Sequence, residues 1–208
     1  MKNLNLIEHP LLLHKVGFLR DKNTKSSEFR SIIKELSRYL AYEATKDYEL
    51  TTADVETPWE NTTVQRIATP PIVVSIMRAG NGMLDSLLTT LPFAQAGHIG
   101  IYRDKFIKNT VEYYFKLPEN CKGKPILLAD PLLATGDTII ASIDRLKQYE
   151  VGEIRCLCIL VSKQGLSDLY EAHPDVKVYA ISVERELNEM GYLLPGLGDA
   201  GDRLYNTK

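Results

Sequence analysis

Between residues 71 and 182 the chain alternates short apolar runs with amphipathic stretches, and no other feature restricts its fold as tightly. The apolar runs cover 71–76, 98–103, 124–130, 154–162 and 176–182. Between them, 82–91, 138–149 and 164–173 read as helices; Ile139, Ile140, Ile143 and Leu146 share one face. Runs so short and apolar are strands buried on both sides, which is how a parallel sheet covered by helices reads. The pattern predicts an α/β fold with a mainly parallel sheet flanked by helices. Upstream, Ser26 and Ser27 are good N-cap types ahead of Phe29, Ile32, Ile33, Leu36 and Leu40, so 26–41 is an amphipathic helix. Residues 50–69 are polar around Pro58 and Trp59 and predict extended arms or a small flap. The chain's 208 residues hold no repeat, low-complexity segment or linker, so one main domain is expected.

Several function classes lose support. A net charge of −2 leaves no basic footprint for nucleic acid. The early apolar stretch, 10–13, is met at once by His14 and Lys15, unlike a signal peptide, and no run is long enough to span a bilayer; a cytoplasmic location is expected. Cys121, Cys156 and Cys158 are an odd set that argues against a disulfide framework, and the last two read as core filler. His9, His14, His98 and His173 are scattered without metal-ligand spacing and read as structural.

In an open parallel sheet the ligand lies beyond the carboxyl ends of the strands. There stand MRAGNG after Ile76, Arg103 after Tyr102 and DPLLATGDT after Ala129; a tail holding GLGDAG follows the last sheet strand. Residues 126–143 are the most informative. A buried strand ends in Asp130, and a loop through Thr135, Gly136 and Asp137 enters a helix at Thr138. Gly136 permits a tight turn with inward N–H groups, the helix start adds free donors and a positive dipole end, and the threonines add hydroxyls. Asp130 suits a sugar diol beside the phosphate. This describes a sugar 5-phosphate site. The plainer reading makes Thr138 a helix cap and Asp130 a turn cap. The acid at the strand end and the apolar runs on both sides favour the site. Arg78 and Arg103 each follow an apolar strand at that edge, where a planar guanidinium fork suits phosphate oxygens.

The segment resembles the phosphoribosyl diphosphate (PRPP) motif of the type I phosphoribosyltransferases. Its D-P-x-x-A-T-G form is similar to that of the uracil phosphoribosyltransferases, in which proline replaces a second acid. SIMRAGNGMLDSLL (75–88), GHIGIYRD (97–104) and LLPGLGDAGDR (193–203) agree with the same family, so the resemblance covers most of 70–208. It implies the type I phosphoribosyltransferase fold with a small hood and a β-arm. Residues 1–208 would form one domain, with a core at about 70–182 and a hood from the N-terminal part and the 183–208 tail. It implies transfer of phosphoribose from PRPP to uracil, giving UMP and diphosphate in pyrimidine salvage. Arg78, Arg103, Asp130 and Asp199 would be the catalytic set. Pro131, Leu132, Leu133, Ala134, Thr135, Gly136, Asp137 and Thr138 would join them around PRPP. Leu193, Gly198, Asp199 and Ala200 would hold uracil. Mg²⁺ would arrive on PRPP, without a metal site of the protein's own. A homodimer or higher homo-oligomer, activation by GTP and a strained peptide in the Arg78 loop are also implied. Residues 104–116 read as a mobile hairpin able to close over the site. Asp137, where the family usually has glycine, Asn81 and Tyr205 depart from its pattern.

GLGDAG also matches G-x-G-x-x-G, a dinucleotide fingerprint. That motif needs a strand before it and a helix within a βαβ unit after it. Here Pro195 precedes the glycines and seven residues follow Gly201. An irregular loop that presses backbone amides and carbonyls against a flat base fits better. No histidine or glutamate presents itself as a general base. The competing readings are a phosphoribosyltransferase for another base and a non-catalytic uracil- or UMP-sensing regulator with the same fold.

Overall fold

The computed structural model describes residues 3–103 and 110–207. Strand β1 (Leu4–Leu6) leads through α1 (Pro10–Arg20) to the long α2 (Ser26–Ala44), and β2 (Leu50–Glu56) and β3 (Asn61–Ile67) form an antiparallel hairpin. The α/β section contains β4 (Ile72–Met77), α3 (Asn81–Thr90), β5 (Gln95–Arg103), β6 (Thr110–Lys116), β7 (Ile126–Ala129), β8 (Leu132–Leu133) and α4 (Asp137–Lys147). It continues with β9 (Ile154–Leu157), β10 (Leu160–Ser162), α5 (Lys163–Ala172), β11 (Lys177–Ala180) and β12 (Ser182–Glu184). The tail contains β13 (Glu186–Leu187), β14 (Leu193–Leu194) and α6 (Ala200–Tyr205).

Among the described residues the main sheet has seven strands in the order β1-β11-β9-β7-β4-β5-β6. All neighbours pair in parallel except β6, which runs antiparallel to β5. Alternation along the strands builds two cores, one on each face. Val73, Leu127, Leu157 and Tyr179 face α1, α2 and α3, where Phe29, Ile33, Leu36 and Leu40 are fully buried. Ile72, Val74, Leu128 and Cys156 face α4 and α5 through Ile143, Leu146, Leu166 and Leu169. Cys156 and Cys158 are core residues as expected, and burial pushes both thiols well above their ordinary range.

The structure departs from the sequence reading in four places. The apolar run 154–162 is two strands, because at Ile159 the backbone leaves the main sheet and donates to Pro131 O at 2.8 Å. From there β10 joins β8 and β12 in a small parallel sheet. Helix α2 starts behind Lys25, which forms no side-chain cap, so neither Ser26 nor Ser27 caps it. The N-terminal segment reaches the core itself, with β1 extending the sheet beside β11 and α1 burying Leu12, Val16 and Leu19. The tail is not only a loop, since it contains β14 and α6. The expected 104–116 hairpin is seen as Thr110–Lys116 paired with β5; residues 104–109 lie outside the described residues. Among the described residues no helix is long and apolar enough to cross a membrane.

Candidate active site

Asp130 directly follows β7, and its Oδ1 accepts the Leu132 N–H at 3.2 Å. Burial pushes its carboxyl from an ordinary 3.8 up to about 7; the Leu132 N–H pulls the other way, and the nearby Asp199 carboxylate adds to the rise. The chain then passes through Pro131 and through Leu132 and Leu133, which pair with β10. Gly136, at φ +91°, turns it into α4. Gly136 is the N-cap, so Thr138 lies inside the first turn and does not cap the helix. Thr135 Oγ1 donates to Asp137 Oδ2 at 3.0 Å. A carboxylate thus stands at the positive end of α4.

The loop is braced from behind. Ser162 Oγ donates to Ala134 O at 2.5 Å and accepts from Gly165 N at 2.7 Å. A Cβ on Gly165 would lie 2.3 Å from Ala134 O, so only glycine lets α5 approach this closely.

Beside this loop, β4 ends in a cis Met77–Arg78 peptide. Gly80 packs so tightly that a Cβ there would lie 2.3 Å from Ala129 O, which sets the Arg78 turn against the end of β7. The exposed Arg78 guanidinium reaches the tail, donating to Asp202 Oδ1 at 3.1 Å and Thr207 Oγ1 at 3.2 Å. Tyr205 OH donates to Arg78 O at 3.2 Å. Arg103 ends β5 at the same sheet edge, three residues past Gly100, the register partner of Met77.

The tail closes the arrangement. The Leu194–Pro195 peptide is cis, and Gly196 and Gly198 have φ of +60° and +82°. Asp199 caps α6 by accepting Asp202 N at 2.9 Å, and Ala200 is buried as the helix's first residue. A Cβ on Gly201 would lie 3.3 Å from Asp199 Oδ1 and 3.5 Å from Arg78 Nη2, so all three groups meet there. A Cβ on Gly191 would lie 3.2 Å from Thr135 Cγ2, which brings the turn before β14 onto the 130–138 loop. A cleft of about 580 Å³ runs between the α1–α2 connection at Lys22, Thr24 and Ser26 and the tail, with Tyr192, Leu193, Gly198, Asp199 and Arg203 in its wall.

Three residues that shape this site carried no reading from sequence. Glu184, at the end of β12, is buried and bound by Arg20 Nη1 and Nη2 at 2.7 and 2.6 Å. Burial works against its charge, yet the Arg20 guanidinium and the Gly196 N–H hold its carboxyl below the usual carboxylate range. Arg203 donates to the carbonyls of Leu19, Leu197 and Asp21 and lies over the Phe29 ring. An acid at a strand end, the signal that exposed Asp130, also marks Glu184. Arg20 and Arg203 find their partners only through the fold.

The family model for Uracil phosphoribosyltransferase matches residues 6–207. The chain belongs to the uracil phosphoribosyltransferase family. A uracil phosphoribosyltransferase of Polaromonas naphthalenivorans is 49% identical over 209 residues, covering all of both chains. That of Agrobacterium fabrum is 44% identical over the same full length. Among solved structures, the AQ2163 protein from Aquifex aeolicus superposes with a TM-score of 0.93 at 34% identity, over 99% of each chain. An adenine phosphoribosyl transferase from Trypanosoma brucei has a TM-score of 0.59 at 12% identity, over 92% of this chain and 88% of that one, and shares the fold alone. Membership bears out the resemblance read from 70–208, the type I fold and the pentosyltransferase class.

Proposed function

We propose that this chain converts uracil and PRPP into UMP and diphosphate in pyrimidine salvage, with the residues named from sequence in the roles assigned there. The observation that carries the reading is the meeting of two unlike loops at one sheet edge. A phosphate-type loop at 130–138 faces a base-type backbone loop at 193–200, and Asp199 is close enough to raise the pKa of Asp130.

In this reading the N–H groups of Ala134 to Thr138 and the start of α4 hold the 5-phosphate. Asp130, as carboxylate, accepts hydrogen bonds from the ribose hydroxyls. Leu193, Gly198, Asp199 and Ala200 match the alternating C=O and N–H edge of uracil. Uracil N1 attacks the anomeric carbon as diphosphate leaves, and the protein acts by positioning and electrostatics. Arg78 and Arg103 neutralise the leaving group, with Arg78 exchanging Asp202 for phosphate oxygens.

Among the described residues no three His, Cys, Asp or Glu side chains form a metal cage, and Pro131 occupies the place of a second acid. In this reading Mg²⁺ would arrive on PRPP, with the Asp130 and Asp199 carboxylates available beside it. When bound, the ion offsets diphosphate charge. Cytoplasmic location, assembly as a homodimer or higher homo-oligomer, and activation by GTP belong to the same reading and rest on the family resemblance.

Calorimetric titration with UMP, CMP, AMP and ribose 5-phosphate tests the site. UMP binding tightest, with ribose 5-phosphate retaining part of the affinity, is expected. Equal affinity for the three nucleotides would sink the base assignment.

A further inference from the structure

One ion pair, between half-buried Arg20 and buried Glu184, holds both backbone groups of Gly196. Glu184, 2% exposed, accepts the Gly196 N–H through Oε2 at 2.8 Å. Arg20 Nη1 donates to Gly196 O at 2.9 Å and to Glu184 Oε2 at 2.7 Å, and Arg20 Nη2 donates to Glu184 Oε1 at 2.6 Å. Ser182 Oγ donates to Glu184 Oε1 at 3.2 Å and completes the network. Charge-assisted forks of this kind fix direction as well as distance.

Gly196 is the point where the base-type loop folds back on itself. Its φ is +60°, and a Cβ there would lie 2.2 Å from Leu193 O. Leu193 lies three residues before it; Gly198, Asp199 and Ala200 begin two residues after it. Holding the Gly196 N–H and C=O fixes the peptide planes on both sides, and with them the directions of the donors and acceptors of 193–200. Arg203 braces the same loop independently through Leu197 O at 2.8 Å. Among the described residues, the side-chain hydrogen bonds of Arg20 and Glu184 go to Ser182, Gly196 and each other, and none goes to 130–138.

We propose that Arg20 and Glu184 are positioning residues for the base: they pre-organise the 193–200 backbone for a flat heterocycle without touching the ligand. This rests on the reading of 193–200 as the uracil loop. A loop already held in its binding conformation loses less freedom on binding, so its brace acts on base affinity. The pair has no side-chain hydrogen bond to 130–138, and Asp199, the residue of 193–200 also assigned to PRPP, is held separately by the Asp202 N–H at 2.9 Å, so KM for uracil should move far more than KM for PRPP.

The test is steady-state kinetics of the full chain with uracil and PRPP varied separately, for the parent, Arg20→Met, Arg20→Lys and Glu184→Gln. Unfolding temperatures are taken in parallel. Arg20→Met should raise KM for uracil about tenfold or more, with KM for PRPP and kcat within about threefold of the parent. Arg20→Lys, which keeps a donor but not the fork, should recover part of that loss. Glu184→Gln keeps an acceptor for Gly196 and should raise KM for uracil by a smaller factor. If Arg20→Met does not fold, Arg20→Lys and Glu184→Gln decide by the same split. Folded variants in which both KM values rise together, or neither moves, overturn the inference while leaving the uracil reading intact. A parent that does not turn over uracil and binds UMP no tighter than ribose 5-phosphate removes that reading, and the inference with it.

Discussion

Replacing Asp130 with asparagine should stabilise the ligand-free protein, and the gain should grow with pH. The folded carboxyl titrates at about 7 against an ordinary 3.8. A carboxylate with a raised pKa opposes folding when ionised, so the sign is opposite to that of a salt-bridged acid. Below pH 3.8 both states are protonated and Asp130 costs nothing. The cost grows as pH rises through that window and is complete above about 7. At about 1.4 kcal/mol per pKa unit the whole rise corresponds to about 4 kcal/mol at pH 8, and to about 1.5 kcal/mol at pH 5. Asp130 is only half-buried, so solvent screens part of this, and about 2 kcal/mol at pH 8 is the working figure. For a chain of this size that is about 4–8 °C in Tm. Asparagine keeps an acceptor for the Leu132 N–H, so the turn should survive. Differential scanning calorimetry of both ligand-free proteins between pH 5 and pH 8 reads the effect. A Tm gain widening toward pH 8, alongside lost turnover, is expected. A variant less stable than the parent at pH 8, or a gain flat across the range, would refute the reasoning.

Other consequences are equally direct. Asp137→Gly frees the Thr135 hydroxyl for phosphate and removes a carboxylate beside it, so KM for PRPP should fall by about three- to tenfold. The same change should lower stability by about 1–2 kcal/mol, because glycine is a poor helix residue and the first turn loses its acid; an unchanged KM would show that Thr135 does not face the phosphate. Gly165→Ala must push Ala134 O from a 2.3 Å clash. It should cut kcat/KM about a hundredfold through loop displacement, and near-parental activity would contradict the bracing role. Cys156 and Cys158 are fully buried with thiols pushed up. They should resist Ellman's reagent at pH 8 in the native protein and react once guanidinium unfolds it; rapid native labelling of either would show that the core opens.

The strands that were legible are those buried on both faces. β7 is wholly apolar and β4 is broken only by Ser75, because helices cover the sheet on both sides; β9 and β11 keep apolar ends after Arg155 and Lys177. The same continuity hid the break before β10, since Cys158 and Ile159 are as buried as the strands they join. Helix α1 escaped because exposed Leu11, Leu13 and Phe18 blur the stripe of Leu12, Val16 and Leu19. β1 is three residues long, too short to show a period. In the tail, the glycines pointed to an irregular loop and hid α6, which the Asp199 carboxylate caps. Asp130 and Arg78 could be read because their signal is local: a charged residue at the end of an apolar run. The Arg20–Glu184 brace joins residues 164 positions apart, and no local pattern announces such a pair.

The central claim is tested most directly by UMP formation from labelled uracil and PRPP with Mg²⁺, with cytosine, hypoxanthine and orotate offered in parallel. Turnover of uracil alone is predicted. Tight UMP binding without turnover of any base would contradict the account and make the chain a sensor built on the enzyme's site.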